Sequence, residues 1–322
     1  MSASAPKSAF SFDRRAVDAL VARHRSGEIS RREFFQKLAF LTGSLLLAQQ
    51  LMIEEGLAFP WEAYEWPLQQ GQAPPPPSPK ESIAAGEKRL PESVQAEWVK
   101  YKSGEIEMGG YLARPKSGAP FAAILVIHEN RGLTEFVLDI AQRWASEGLL
   151  ALAPDCLSRL GGTAKYDSMQ AAGEGIRQLQ RPDTTADLLA SIAYLKSRSD
   201  VRKNKIGVTG FCWGGGYTFH LATESSDLAF AMPFYGISPA LDALPRVSCP
   251  VFGIYAESDT RINANLDEVE AKMKELGKNY ARKVFPGTQH AFMNFTAPGR
   301  YNPDAARAAW ADAVAFVKKS TS

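Results

Sequence analysis

The sequence predicts an α/β fold: a mainly parallel, twisted sheet with helices on both faces. From about residue 97, short apolar runs alternate with helical stretches, the order that builds a parallel sheet covered on both sides. Residues 122–127, Ala-Ala-Ile-Leu-Val-Ile, are apolar throughout, as a strand buried on both faces must be. Glu129, Cys212, Asp259 and His290 each fall at the C-terminal end of an expected strand, where open parallel sheets bind ligands. In chain order, 97–101 and 105–113 read as an antiparallel start, with Gly109-Gly110 marking a bulge or an edge. Strands are expected at 122–128, 149–154, 205–210, 228–234, 250–256 and 281–285. Helices are expected at about 134–147, 184–197, 214–223, 264–276 and 303–319, with Thr134 as the first cap. The long polar segment 155–183, with Gly161-Gly162, is expected to cap the crevice and help set specificity.

The densest motif is Gly210-Phe211-Cys212-Trp213-Gly214-Gly215, between a strand and a helix. It is the thiol form of the Gly-x-Ser-x-Gly elbow, whose strained turn leaves no room for Cβ atoms two residues either side of the nucleophile. A thiol there lies at a helix N-terminus, where the dipole favours a thiolate. The same residues also fit a glycine-rich turn around an inert cysteine. The rest of the chain decides between the two. Chains built on such an elbow carry nucleophile, acid and histidine in that order. Here Cys212 is followed by Asp259 after a short apolar strand, and by His290 in a Pro/Gly-led loop after the last one. Cys212 reads as nucleophile, His290 as base and proton carrier, and Asp259 as the group fixing the imidazole tautomer. Glu257 is the competing acid, while His24 lies in the N-terminal leader and His220 reads as structural. The loop after strand 122–128 is where such enzymes place one oxyanion-hole amide, so the backbone N–H groups of Asn130 and Trp213 are the expected pair.

With these residues in place the chain resembles the dienelactone hydrolase family, the carboxymethylenebutenolidase-like branch of the α/β hydrolases. The resemblance rests on His128-Glu129 with Gly132-Leu133, Ala153-Pro154-Asp155, Gly210–Gly215, Asp259 and His290-Ala291-Phe292, and on the helix with Ala309-Trp310. It implies an α/β-hydrolase fold over 94–322, no cofactor, a small-molecule ester or lactone substrate, and a thioester on Cys212. It also implies that Glu129 bonds the thiol and helps generate the thiolate. One departure concerns substrate choice. Family members that bind anionic substrates carry an arginine four residues after the histidine, and here that residue is Asn294. Arg300, beside Tyr301, is the nearest replacement, and Arg300, Tyr301 and Arg159 are the expected substrate-binding residues. Arg159 and Arg131 also read as solvated loop charges, and neutral substrates are expected to be handled at least as well as anions. A general carboxylesterase, a thioester-using acyltransferase, and a binding protein on an idle hydrolase scaffold are the alternatives.

Composition narrows the remaining classes. A chain of 322 residues, 45% hydrophobic, is long enough for one large core. A net charge of +2 with no clustered basic face argues against a nucleic-acid partner. Cys156, Cys212 and Cys249 are far apart and give no metal-ligand spacing, and three cysteines, one of them assigned to catalysis, suggest no disulfide framework.

The first part of the chain reads differently. Arg31-Arg32 ahead of a moderately apolar stretch resembles a twin-arginine export signal, assigned to 1–55, with the export machinery as partner and a periplasmic or exported location. The alternative is an amphipathic helix of a cytoplasmic protein. Residues 56–93, with four consecutive prolines at 74–77, read as a semi-rigid linker.

Overall fold

The computed structural model describes residues 14–29, 34, 37, 38 and 77–322. The chain divides into two compact units, Met1–Pro75 and Pro76–Ser322. In the first, α1 (Arg14–Arg25) buries Val17 and Val21, and the His24 ring stacks on Phe34 at 5.1 Å. The Arg31-Arg32 pair and nearly all of the apolar stretch behind it lie outside the described residues, as do prolines 74–76.

The second unit opens with helix α2 (Pro79–Glu87), which lies within the stretch expected to be linker. Its start is a capping box. The Ser78 Oγ accepts from the Glu81 N–H, and the Glu81 carboxylate accepts from the Ser78 N–H at 2.8 Å. The sheet follows, with strands β1 (Val94–Ser103), β2 (Ile106–Pro115), β3 (Phe121–Ile127), β4 (Leu150–Pro154), β5 (Val201–Phe211), β6 (Phe230–Phe234), β7 (Val251–Ala256) and β8 (Tyr280–Phe285). Their order is β1-β2-β4-β3-β5-β6-β7-β8. β1, β2 and β4 pair antiparallel, and β3 to β8 all run parallel. The expected bulge at Gly109-Gly110 is absent, since Val99 and Lys100 pair with them in unbroken register. Gly110 is small for another reason: a Cβ there would meet Leu152 Cδ1 at 2.9 Å.

Helices α3 (Glu135–Ser146), α4 (Met169–Gln178), α5 (Arg181–Ser197), α6 (Trp213–Glu224), α7 (Thr260–Asn263), α8 (Leu266–Glu275) and α9 (Pro303–Thr321) connect and cover the strands. The strand period of two divides the core between the sheet's faces. Ile124 and Val126 pack with Trp144 of α3 and Ala313 of α9 on one side. Ala123, Leu125 and Ile127 pack with Leu188 of α5 and Phe219 of α6 on the other. This is the α/β-hydrolase architecture, and it brings the C-terminal ends of six parallel strands to one edge.

The segment 155–183 is more ordered than a polar loop. It contains single-turn helices at Ser158–Leu160 and Thr163–Lys165 and the helix α4, capped by the Ser168 side chain. Two glycines hide α4 from a propensity reading, and each has a packing reason. A Cβ on Gly175 would overlap the Tyr166 hydroxyl at 2.3 Å, and one on Gly173 would press on the Asn130 carbonyl at 3.3 Å.

Candidate active site

The turn from β5 into α6 holds Cys212 at φ 58 and ψ −114, a conformation unfavourable for a residue with a Cβ. Its neighbours explain the glycines. A Cβ on Gly210 would stand 2.5 Å from the Gly214 carbonyl, and one on Gly214 would stand 2.4 Å from the His128 carbonyl. The elbow is also tied to β6 by the Cys212 N–H, which donates to the Phe234 carbonyl at 3.0 Å.

His290 follows β8, and its Nδ1 bonds the Asp259 carboxylate. Asp259 stands at the N-terminus of α7 but does not cap it with its side chain, which is committed to the imidazole. Glu257 goes elsewhere, accepting from the Gly287 N–H at 2.9 Å. That bond, with Ser258 N–H donating to the Thr288 carbonyl at 3.0 Å, ties the acid loop to the histidine loop.

Glu129 sits just past β3 with one carboxylate oxygen, Oε1, buried and unpartnered. The other accepts from the Asn294 Nδ2 at 2.6 Å. Asn294 is itself fixed, its Oδ1 accepting from the Thr296 N–H at 2.9 Å and hydroxyl at 2.7 Å. Burial pushes the Glu129 carboxyl up to about 7, opposed by the Asn294 bond and by Arg300 and Arg131. Burial also pushes the Cys212 thiol up to about 12, with the nearby Glu129 carboxylate adding to the rise. The Trp213 N–H and Arg261 act against it. Burial and the Glu129 charge thus both favour the neutral form of the Cys212 thiol.

Two residues behind the site were not singled out by sequence for this role. His128 is fully buried, its Nε2 accepting from the Cys156 N–H at 3.2 Å. Its Nδ1 then donates to the Glu129 carbonyl at 2.6 Å, and burial holds it neutral. Its ring stacks on Trp213 at 5.3 Å, so one imidazole braces both the Glu129 loop and the elbow. Asp155 accepts from Thr163 at N and Oγ1, both at 2.7 Å, and the Thr163 hydroxyl accepts from Leu133 N–H at 3.1 Å. The segment after β4 is thereby pinned to the segment after β3.

Cys212 lies where two lobes of a crevice meet. One, about 670 Å³, is lined by Glu129, His290, Asn294, Arg131 and Arg300. The other, about 470 Å³, is lined by Trp213, Tyr217, Ile176, Ile237 and Arg181, so α4 and α5 contribute to its wall. Asn130, Cys212 and Arg261 border both. His220 faces the second lobe rather than sitting wholly in the core. Two of the substrate-binding candidates are elsewhere. Arg159 forms a two-pronged pair with the buried Asp187 carboxylate at 2.6 and 2.9 Å. Tyr301 packs against the core beneath α9 and lines neither lobe. Among the described residues no cluster of side chains could hold a metal ion.

A family model described as the dienelactone hydrolase family matches residues 108–321. Protein usf of Aquifex pyrophilus is 34% identical over 232 residues, covering 69% of this chain and 97% of that protein. A protein of Aquifex aeolicus (strain VF5), provisionally named a carboxymethylenebutenolidase, is 33% identical over 233 residues, covering 68% and 96%. Among solved structures, a dienelactone hydrolase of provisional assignment from Klebsiella pneumoniae subsp. pneumoniae MGH 78578 superposes with a TM-score of 0.64 at 25% identity, covering 70% of this chain and 99% of that one. The match runs from β2 through the elbow and the histidine loop to α9. The chain belongs to the dienelactone hydrolase family and is an ester hydrolase.

Proposed function

We propose that the enzyme cleaves an ester or lactone through a thioester on Cys212. The observation that carries this reading is one crevice edged by the elbow thiol, the Glu129 carboxyl and the Asp259–His290 pair. Glu129 takes the proton from the Cys212 thiol, and the thiolate adds to the acyl carbon. The oxyanion is held by the backbone N–H groups of Trp213 and Asn130. Collapse breaks the C–O bond, and His290, imidazolium at the start of the cycle, gives its Nε2 proton to the departing oxygen and becomes the neutral base. Water, deprotonated by His290, then attacks the thioester, the C–S bond breaks, and the thiol is restored with the proton from Glu129. A proton donor has to face the leaving oxygen, so the leaving group occupies the lobe lined by His290 and the acyl group the lobe lined by Trp213. Peptide amines leave less readily than the thiolate, so activated esters and lactones are the fitting substrates.

Asn294 is spent on Glu129 and supplies no charge, so neutral substrates are turned over at least as well as anions unless Arg300 holds a carboxylate. Cys212→Ala abolishes turnover on this reading, while Cys156→Ala and Cys249→Ala, which change buried cysteines away from the crevice, leave it in place. Activity surviving in Cys212→Ala refutes the thiol route. We further propose that Arg31-Arg32 direct export of the folded enzyme, on the strength of the sequence pattern alone.

A further inference from the structure

Tyr235 is the first residue beyond β6, at φ 37, in the left-handed region that bulky side chains rarely occupy. The conformation is held from both sides. Its N–H donates to the Ile254 carbonyl at 2.7 Å, and the next residue, Gly236, is pressed so closely on the elbow helix that a Cβ would stand 2.1 Å from the Gly215 carbonyl carbon. The ring is fully buried, 5.1 Å from the His290 ring and 5.8 Å from Phe292. Its hydroxyl has no hydrogen-bond partner, although a buried tyrosine hydroxyl ordinarily has one. One other orphan belongs to the reacting groups, the Oε1 of Glu129. Tyr235 packs in the cluster that Cys212 joins and feels the charges of Glu129 and Cys212, so backbone strain there with an unused donor is what preorganisation for a charged intermediate looks like at rest.

We propose that Tyr235 is a positioning residue whose hydroxyl donates a hydrogen bond to the negative charge that passes between Cys212 and Glu129. This rests on the reading that Glu129 deprotonates the thiol. Tyr235 moves no proton of its own. The proton travels from Sγ to the Glu129 carboxylate, and the phenol keeps its hydrogen while bonding whichever partner is the anion. Burial, with Glu129 and Cys212 both in electrostatic reach, raises the phenol well above its ordinary value, so it remains a donor at every working pH.

Tyr235→Phe removes only the oxygen and keeps the ring packing. On an activated aryl ester it lowers kcat by roughly 10–10²-fold, the worth of one bond to a charged group, with KM nearly unchanged. The acid limb of the pH–rate profile moves to higher pH, because the Glu129 carboxylate has lost a donor. At about pH 5, where Glu129 is protonated, the melting temperature does not fall, since an unpartnered buried hydroxyl has gone. If the phenylalanine variant does not fold, 3-fluorotyrosine at position 235, a more acidic phenol and a stronger donor, moves the limb to lower pH instead. A native rate, or a reduced rate with an unshifted limb, overturns the inference. Glu129→Gln run alongside separates the two levels. A fully active Glu129→Gln removes the reading beneath, whereas an impaired Glu129→Gln beside a native Tyr235→Phe removes this inference alone.

Discussion

On the proposed route, Glu129 has to accept a proton from a thiol that holds it tightly, and still be ionised when the substrate arrives. Burial alone would leave it neutral, and the Asn294 amide, together with Arg300 and Arg131, brings it back to about 7. Turnover therefore falls as pH drops below about 7, where the base is protonated. The same shift acts on stability with a definite sign. The folded value lies above the ordinary 4.5, so the native state binds more protons than the unfolded chain between those values. Stability is lost as pH rises through that window. Glu129→Gln removes this penalty. It should melt higher than the native enzyme at pH 8, by about 1–3 kcal/mol, with little difference at pH 4. Its turnover should fall by ~10²–10⁴-fold. Thermal melts at the two pH values and one steady-state assay check both, and equal stability at pH 8 contradicts the account. Cys212, Asp259, His290 and Glu129 are legible in the sequence because each follows an apolar strand and the elbow needs its glycines. Asn294 is legible only as a missing arginine, since spacing does not reveal that its amide turns toward a carboxylate 165 residues away. Nothing in Phe234-Tyr235-Gly236 announces a strained backbone, because the strain comes from β7 and the elbow pressing on it.

At the scale of elements, the crevice is only as fixed as the loops that bear it, and one of those, the Glu129 loop, is braced from outside the sheet. The N-terminus of α3 follows the Glu129 loop, and the Glu135 N–H there is satisfied by the Ser82 hydroxyl of α2 at 2.9 Å, not by Thr134. The Gln142 side chain donates to the Gly86 carbonyl at 2.9 Å and to the Tyr111 hydroxyl at 2.8 Å, joining α2, α3 and β2. A Cβ on Gly86 would meet Leu138 Cβ at 2.9 Å and the Glu135 Cα at 3.1 Å. Gly86→Val should therefore separate α2 from α3 and destabilise by roughly 1–3 kcal/mol, while the chemistry at Cys212 continues in the folded fraction. Denaturant titration measures the loss, and an unchanged midpoint contradicts the packing described. The parallel strands are readable because their apolar runs have no other use in a chain of this kind. Helix α2 is not, since the neighbouring prolines outweigh one capping box, and α4 is not, since Gly173 and Gly175 are placed for close contact rather than helix propensity.

At the scale of the molecule, a sheet whose six parallel strands end on one edge gathers residues spread from Glu129 to His290 into one crevice. Cross-loop bonds such as Gly287 N–H to Glu257 and Asn294 to Glu129 then hold the spacing. The twin-arginine route carries folded proteins, so replacing Arg31 and Arg32 together by Lys should leave active enzyme on the cytoplasmic side, as fractionation and activity assays would record. An unchanged distribution favours the amphipathic-helix alternative. The covalent step proposed for Cys212 can be observed directly. Mixing the enzyme with an activated aryl ester, quenching in acid within the first turnover, and mapping peptides by mass spectrometry should find one acyl group on the Cys212 peptide, released by neutral hydroxylamine as a thioester is. Turnover with no acyl adduct on that peptide, or with the adduct on another residue, would contradict the account.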